Sequence, residues 1–238
     1  ENTFIAKLTL SEYKNDIEAI NHTTGEKQSI TVYWLPNFAG KYRLSIDDNI
    51  WFLRDLHKEK PASLFGNSYL AFLRDVHSAY GTKIHLNLFY QTDGFNLAEL
   101  SDQYKDEWKA NADWLRLSFH ALGEFPDQPY INASYEQAKH DCILVDDQIK
   151  RFAGAALMGP FTTIHWGEAT REAARAVKDC GYHGLLGYFG LEPSFNGVSY
   201  YLEEEKRNRV NKRFVWKDDE MDMVFTRTSM VIDRETID

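Results

Sequence analysis

The chain has 238 residues, a formal net charge of −9, and 15 Phe, 13 Tyr and 6 Trp residues. This length is enough for one large α/β domain or two small ones, and the aromatic content is typical of a folded protein. The negative charge argues against nucleic acid as the main partner, because binding to phosphates needs clustered Lys and Arg, and no apolar run is long enough to span a membrane.

Two further features of the composition leave alternatives open. Cys142 and Cys180 are isolated and form no CxxC pair, so two free thiols or one disulfide are both compatible with the sequence. The chain starts at Glu1 without an initiator Met or a signal peptide. The expected location is therefore the cell exterior or envelope if Glu1 begins a mature chain, and the cytoplasm otherwise. The oligomeric state stays open.

The predicted elements form a β-rich start, an α/β body and a β-rich end. Residues 1–41 are predicted to be a β-rich extension with strands in "FIAKLTL" and "SITVYWL", and residues 191–238 a β-rich C-terminal segment. Basic residues follow acidic ones in "EEEKRNRVNKR", which favours a solvated, salt-bridged surface. Between them, periodicity and end signals predict alternating elements. These are a strand at 42–46, a helical region at 49–80, strands at 83–90 and 115–121, helices at 97–114 and 135–154, a strand at 162–166, a helix at 167–181 and a strand at 182–189.

This alternation indicates parallel βαβ units, arranged either as a barrel or as an open sheet. In both architectures the ligand site lies at the carboxyl ends of the strands. The side chains at those ends are therefore the candidates for function.

Carboxylates and imidazoles follow several of the predicted strands. Asp47 and Asp48 come at the end of the first strand of the body, His120 ends the strand at 115–121, and His165 ends the strand at 162–166. Parallel strands would bring these side chains to one face, where they form the oxygen and nitrogen ligands that suit a divalent metal such as Zn²⁺. The alternative for the Asp pair is helix capping, because "IWFL" follows it directly and Asp is a favoured N-cap residue.

The order of these motifs resembles the polysaccharide deacetylase family, which is defined by the NodB-homology domain. "SIDDN" stands in place of the family's "TFDDG", and "HALGE" keeps the first His of a His-x-x-x-His motif. "TIHWGEATREAARAVKDCGYHGLL" is similar to the end of the Arg-Pro-Pro-Tyr-Gly motif and the helix after it. The resemblance covers residues 42–190.

The resemblance implies an irregular (β/α)7-type barrel, with residues 1–238 forming a single deacetylase-like domain. It implies a metal-dependent hydrolase that removes N- or O-linked acetyl groups from a carbohydrate. The implied ligands of the metal, expected to be zinc, are Asp48, His120 and Glu124, and Asp47 is the implied general base. Glu124 departs from the family, which has a histidine in that place.

The remaining roles are assigned under the same resemblance. The family's late histidine, which supplies the general acid, has no counterpart after His183, so His165 is the candidate acid. Trp166, Phe125 and Tyr130 are the candidate residues for stacking on a sugar ring. The arginine that orients the base in the family also has no obvious counterpart.

Two other functions remain open at this point. One is a glycoside hydrolase that uses a pair of carboxylates, Asp47 and Glu124, without a metal. The other is a catalytically altered or inactive carbohydrate-binding domain on the same fold, which the missing arginine and late histidine would favour.

Overall fold

The computed structural model describes residues 5–34, 42–190 and 199–232, and the chain divides into two compact units, Glu1–Tyr42 and Arg43–Asp238. The first unit contains one antiparallel hairpin, formed by β1 (Lys14–Ile20) and β2 (Lys27–Tyr33). The strand predicted at "FIAKLTL" is not formed over residues 5–10.

The second unit contains the remaining helices and strands. Its strands are β3 (Leu44–Asn49), β4 (Ile84–Phe89), β5 (Gln91–Thr92), β6 (Phe95–Asn96), β7 (Leu115–Ala121), β8 (Phe161–Thr162), β9 (Gly184–Gly187), β10 (Val215–Asp218) and β11 (Met223–Arg227). Its helices are α1 (Trp51–Glu59), α2 (Ser68–Tyr80), α3 (Lys105–Ala110), α4 (Tyr135–Phe152), α5 (Arg171–Asp179) and α6 (Glu204–Arg213). Among the described helices, none is both long and apolar enough to cross a membrane.

The predicted (β/α)7-type barrel is wrong, because the described strands form several small sheets and no closed barrel. Strands β3, β4 and β7 form a parallel sheet, in that order. A second sheet has the order β10-β11-β9-β8, in which β8, β9 and β11 are parallel and β10 is antiparallel to β11. Closure needs strands with a consistent stagger around the whole ring, and β8 is only two residues long.

The two sheets adjoin where β7 meets β8. A single parallel bridge joins Leu117 to Met158, and the Thr162 hydroxyl donates a hydrogen bond to the Phe119 carbonyl oxygen. At this junction, one β-bridge and a side-chain hydrogen bond thus take the place of a continuous ladder of backbone hydrogen bonds. The carboxyl ends of β3, β4, β7 and β8 consequently lie at the same edge.

Amphipathic helices cover this arrangement. Helix α2 begins at an Asn67 cap, whose Oδ1 accepts a hydrogen bond from the Leu70 N–H, and it ends at Gly81 with φ of 66°. Helix α4 packs against β7 and α5 with one apolar face. That face contains Ala138, Cys142, Val145, Ile149 and Phe152.

Both cysteines are free thiols: Cys142 is buried and Cys180 is half-buried.

In the second unit, three predicted elements differ from the structure. The strand predicted at 162–166 is limited to β8 and is followed by a short 3₁₀ turn, His165–Gly167. The helix predicted at 97–114 is a 3₁₀ turn, Leu97–Glu99, followed by the short α3. Helix α6 lies in the segment predicted to be β-rich, of which residues 191–198 and 233–238 are outside the described part.

Candidate metal centre

A β-bulge near the end of β3 places the two adjacent carboxylates. Ile46 pairs with Leu86 and Asn49 with Leu88, so three steps along β3 match two along β4. Asp48 takes a left-handed backbone with φ of 57°. Successive residues of a regular strand point to opposite faces, and the bulge relieves that alternation.

Helix capping does not explain the Asp pair. The N-cap position of α1 is Ile50, and no side chain caps it with a hydrogen bond. The polar side chain that orders this turn is Asn49, whose Nδ2 donates to the carbonyl oxygens of Ile46 at 2.7 Å and Asp47 at 3.0 Å. The capping hypothesis is therefore wrong, and the carboxylates are available for another role.

Asp48, His120 and His165 form one compact group. Asp48 Oδ1 lies 3.0 Å from His120 Nε2 and 3.1 Å from His165 Nδ1, and the two ring nitrogens are 3.1 Å apart. His120 and His165 are buried, whereas Asp48 is exposed on one side. This group could hold a metal ion, since its three donor atoms lie within 4.8 Å of one another.

Backbone carbonyls fix which nitrogen of each histidine faces the group. His120 Nδ1 contacts the Thr163 carbonyl oxygen, and His165 Nε2 lies 3.1 Å from the Glu124 carbonyl oxygen. A carbonyl oxygen can only accept, so each of these nitrogens carries its hydrogen and donates it. In the neutral rings, His120 Nε2 and His165 Nδ1 then present lone pairs toward Asp48.

The electrostatics of the group follow from its contacts. Burial would raise the pKa of Asp48, but hydrogen bonds from the protonated rings of His120 and His165, and their positive charges, outweigh it and hold that pKa well below the usual range. Burial would lower the pKa of His120, but the hydrogen bond to Asp48 and the charges of Asp47 and Asp48 raise it. The group therefore favours positive charge at its centre, whether from a proton or from a cation.

Aromatic contacts and one hydrogen bond hold the turn that carries His165, in which one residue has a left-handed backbone. Trp166 has φ of 65°, which reverses the chain directly after His165. The Phe89 ring packs edge-on against His165, with centroids 4.9 Å apart, and also contacts His120 at 5.1 Å. The Tyr200 hydroxyl accepts a hydrogen bond from the Ile164 N–H at 3.4 Å, which ties down the residue before His165.

The predicted ligands are only partly brought together. Asp48 and His120 lie in the group, but the Glu124 side chain is exposed and only its backbone carbonyl contacts His165. The third member of the group is His165, for which the sequence analysis predicts a general-acid role. Asp47 lies next to the group and its carboxylate accepts a hydrogen bond from Asn87.

The predicted sugar-contacting aromatics divide into two classes. Phe125 is 75% exposed and Trp166 is 47% exposed, and the Trp166 ring lies 6.0 Å from that of His165. Tyr130 is 1% exposed, and its hydroxyl accepts from the Leu122 N–H and donates to Asp141, both at 3.1 Å. Tyr130 thus supports the loop from inside, where a sugar cannot reach it.

Sequence reasoning missed Asn87 and Tyr200 as residues that shape the site. Asn87 lies in the middle of strand β4, whose residues are all buried, and is itself fully buried. The single amide side chain in this strand could have indicated a polar site nearby, because buried polar groups need hydrogen-bond partners. Tyr200 gave no such signal, since it lies far along the chain in a segment without periodicity.

Comparison with known proteins gives no relative. No protein-family model matches the chain, and neither curated proteins nor solved structures show a match to it.

Proposed function

We propose that this protein is a metal-dependent hydrolase that removes acetyl groups from a carbohydrate, with the metal held by Asp48, His120 and His165. The observation that carries the proposal is the orientation of the two imidazoles. Each donates its outer N–H to a backbone carbonyl, of Thr163 or Glu124, and turns its other nitrogen toward Asp48. Metal-binding histidines are held by this kind of outer hydrogen bond.

The chemistry of the donor set supports zinc as the metal. Two imidazole nitrogens and one carboxylate form a three-residue protein set of the kind found in catalytic zinc sites, which keep a further position for water or substrate. Asp48 supplies the only carboxylate of the group, because the Glu124 side chain lies outside it. A bound cation would therefore keep more Lewis acidity than it would with two carboxylates.

When bound, a divalent cation would lower the pKa of a water molecule and polarise the acetyl carbonyl. Asp47 is the residue of this chain that moves the proton. It adjoins Asp48 but is absent from the three-residue group, and its carboxylate is exposed to an incoming substrate. Asp47 takes the proton of the attacking water.

Protonation of the leaving amine or alcohol also falls to Asp47. His165 turns Nδ1 toward the group and Nε2 toward the Glu124 carbonyl oxygen, so neither nitrogen is free to serve the leaving group. Asp47, having accepted one proton, returns it in the second half of the reaction. This assignment replaces the predicted acid role of His165.

The carbohydrate part of the proposal is supported by the resemblance of the motifs and by the exposed aromatics. Trp166 and Phe125 present open rings near the group, and aromatic faces stack on the apolar faces of sugars. Whether the acetyl group is N- or O-linked is decided by the assay below.

The test combines metal analysis with acetate release. Purified protein is dialysed, its metal content is measured by elemental analysis, and acetate is measured after incubation with N-acetylated chitin oligomers and O-acetylated xylan oligomers. We expect retained metal and chelator-sensitive acetate release, both lost in Asp48→Asn and His165→Ala. The matched control is His140→Ala, because the His140 side chain is 69% exposed and lies on α4. Absence of metal, or acetate release that is unaffected by chelator and by both variants, would contradict the proposal.

A further inference from the structure

A chain of buried hydrogen bonds runs from the core to Asp47. His85 Nε2 lies 2.7 Å from the Ser118 hydroxyl, which contacts Asn87 Oδ1. Asn87 Nδ2 contacts Asp47 Oδ1 and also lies 3.0 Å from the Ser45 hydroxyl. Asn87 and Ser118 are fully buried and His85 is 4% exposed.

The chemistry of the groups sets a single direction along this chain. An ionised Asp47 can only accept, so Asn87 must turn its NH₂ group toward it and its carbonyl oxygen toward Ser118. The Thr162 hydroxyl lies 3.2 Å from Ser118 Oγ and 3.3 Å from Asn87 Oδ1, but it donates its proton to the Phe119 carbonyl oxygen. Ser118 therefore gives its one proton to Asn87 and must accept from His85. His85 is therefore expected in the neutral form with the hydrogen on Nε2, in agreement with a pKa that burial and the nearby charges of Arg43 and Arg116 hold well below the usual value.

We propose that Asn87 is a positioning residue, held by Ser118 and His85, that fixes the orientation of the Asp47 carboxylate. The inference rests on the proposed function, in which Asp47 transfers the proton. Among the described residues, Asn87 is the side chain that hydrogen-bonds this carboxylate. An exposed Asp at a bulge would otherwise sample several rotamers, and a proton acceptor must be held in place to act efficiently.

Asn87 reaches the Asp47 carboxylate from a neighbouring strand. Asn87 lies on β4, between β3 and β7, so it reaches Asp47 on one side and Ser118 on the other. Its amide donates to the carboxylate without adding a charge. It can therefore orient Asp47 through a hydrogen bond.

The test compares Asn87→Leu and Ser118→Ala with the wild type and with Asn67→Ala. Asn67 is the matched control, because it is also a buried Asn, 4% exposed, but it caps α2 instead of contacting Asp47. The measurements are kcat and KM for acetate release from the acetylated oligomers, metal content, the orientation of Asp47 in crystal structures, and the tautomer of His85 by ¹⁵N NMR.

We expect Asn87→Leu to lower kcat by about 10- to 100-fold with KM and metal content unchanged, as is typical when a residue that orients a reactive group is removed. Ser118→Ala should lower kcat less, because the amide keeps its place but loses its orienting bond. Asn67→Ala should keep the wild-type kcat while lowering stability. The Asp47 carboxylate should rotate away or become divided between conformers in both site variants.

The inference is overturned if Asp47 keeps its orientation in Asn87→Leu, or if the wild-type His85 carries its hydrogen on Nδ1. It is also overturned if Asn67→Ala lowers kcat as much as Asn87→Leu, since loss of any buried amide would then suffice. A wild type that releases no acetate from either substrate contradicts the proposed function instead. In that case the Asp47 orientation and the His85 tautomer still decide the positioning role.

Discussion

Replacing the buried Asp146 by Asn is expected to stabilise the protein above about pH 6. Asp146 is 2% exposed on α4, and burial raises the pKa of its carboxyl from 3.8 to about 6 in spite of a hydrogen bond from the Tyr182 hydroxyl at 2.7 Å. That hydroxyl also accepts from the Phe119 N–H at 2.7 Å, one residue before His120. The carboxyl therefore supports the strand that carries a member of the candidate metal group.

The direction and the size of this change in stability follow from the pKa values of the Asp146 carboxyl in the unfolded and folded states. Between 3.8 and about 6 the folded state holds the proton more strongly than the unfolded state, so stability falls as the pH rises through this window. A pKa that is about two units higher in the folded state corresponds to about 3 kcal/mol of lost stability at neutral pH. Asn keeps a carbonyl oxygen for Tyr182 and cannot ionise, so it should avoid this loss.

The assay is urea unfolding in the presence of a chelator, at about pH 4.5 and about pH 7.5. The free energy of unfolding of Asp146→Asn minus that of wild type should be about 2 kcal/mol larger at the higher pH, so the variant gains relative stability there. Asp147→Asn is the control, because its side chain is 63% exposed and pairs with Lys150 on the surface. A difference between Asp146→Asn and wild type that is the same at both pH values would refute this account.

Three further predictions test separate parts of the structure. His165→Ala should abolish metal retention while Glu124→Gln keeps it, measured by elemental analysis; the reverse result would restore the ligand set predicted from sequence. Tyr130→Phe should cost about 1–3 kcal/mol in urea unfolding, because a buried N–H loses its partner, and titration with acetylated oligomers should show unchanged sugar affinity. Gly159→Ala should cost about 1–3 kcal/mol, because the added Cβ would overlap the buried His85 ring; a variant as stable as wild type in thermal unfolding would contradict that packing.

The position of the candidate site could be predicted from the sequence, because the alternation of strands and helices along the chain determines which strand ends lie together. Alternating strands and helices imply parallel neighbours, whose carboxyl ends share one edge, and Asp48, His120 and His165 do meet there. Barrel closure could not be predicted in this way, because it depends on the stagger and length of every strand. Because β8 has only two residues, the hydrogen-bonded ladder between the strands stops there, and a side-chain hydrogen bond from Thr162 joins β8 to β7 instead.

The roles of individual side chains were harder to predict, because they depend on ring orientation. The spacing of "HALGE" favoured Glu124 as a ligand, but the turn at Trp166, with φ of 65°, brings His165 into that place. Helix α6 was missed for a different reason. Among its described side chains only Val210 is buried, so its sequence shows almost no apolar periodicity.

The bulge in β3 has a consequence for anyone who wishes to transplant such a centre into another parallel sheet. Grafting two consecutive acids onto a regular strand would send one of them into the opposite layer. The recipient must first accept an inserted residue, and its second acid must tolerate a positive φ, as Asp48 does at 57°. Asp and Asn adopt that conformation far more readily than β-branched residues, so a screen of recipient scaffolds could begin from strands that already carry Asn or Gly at this point.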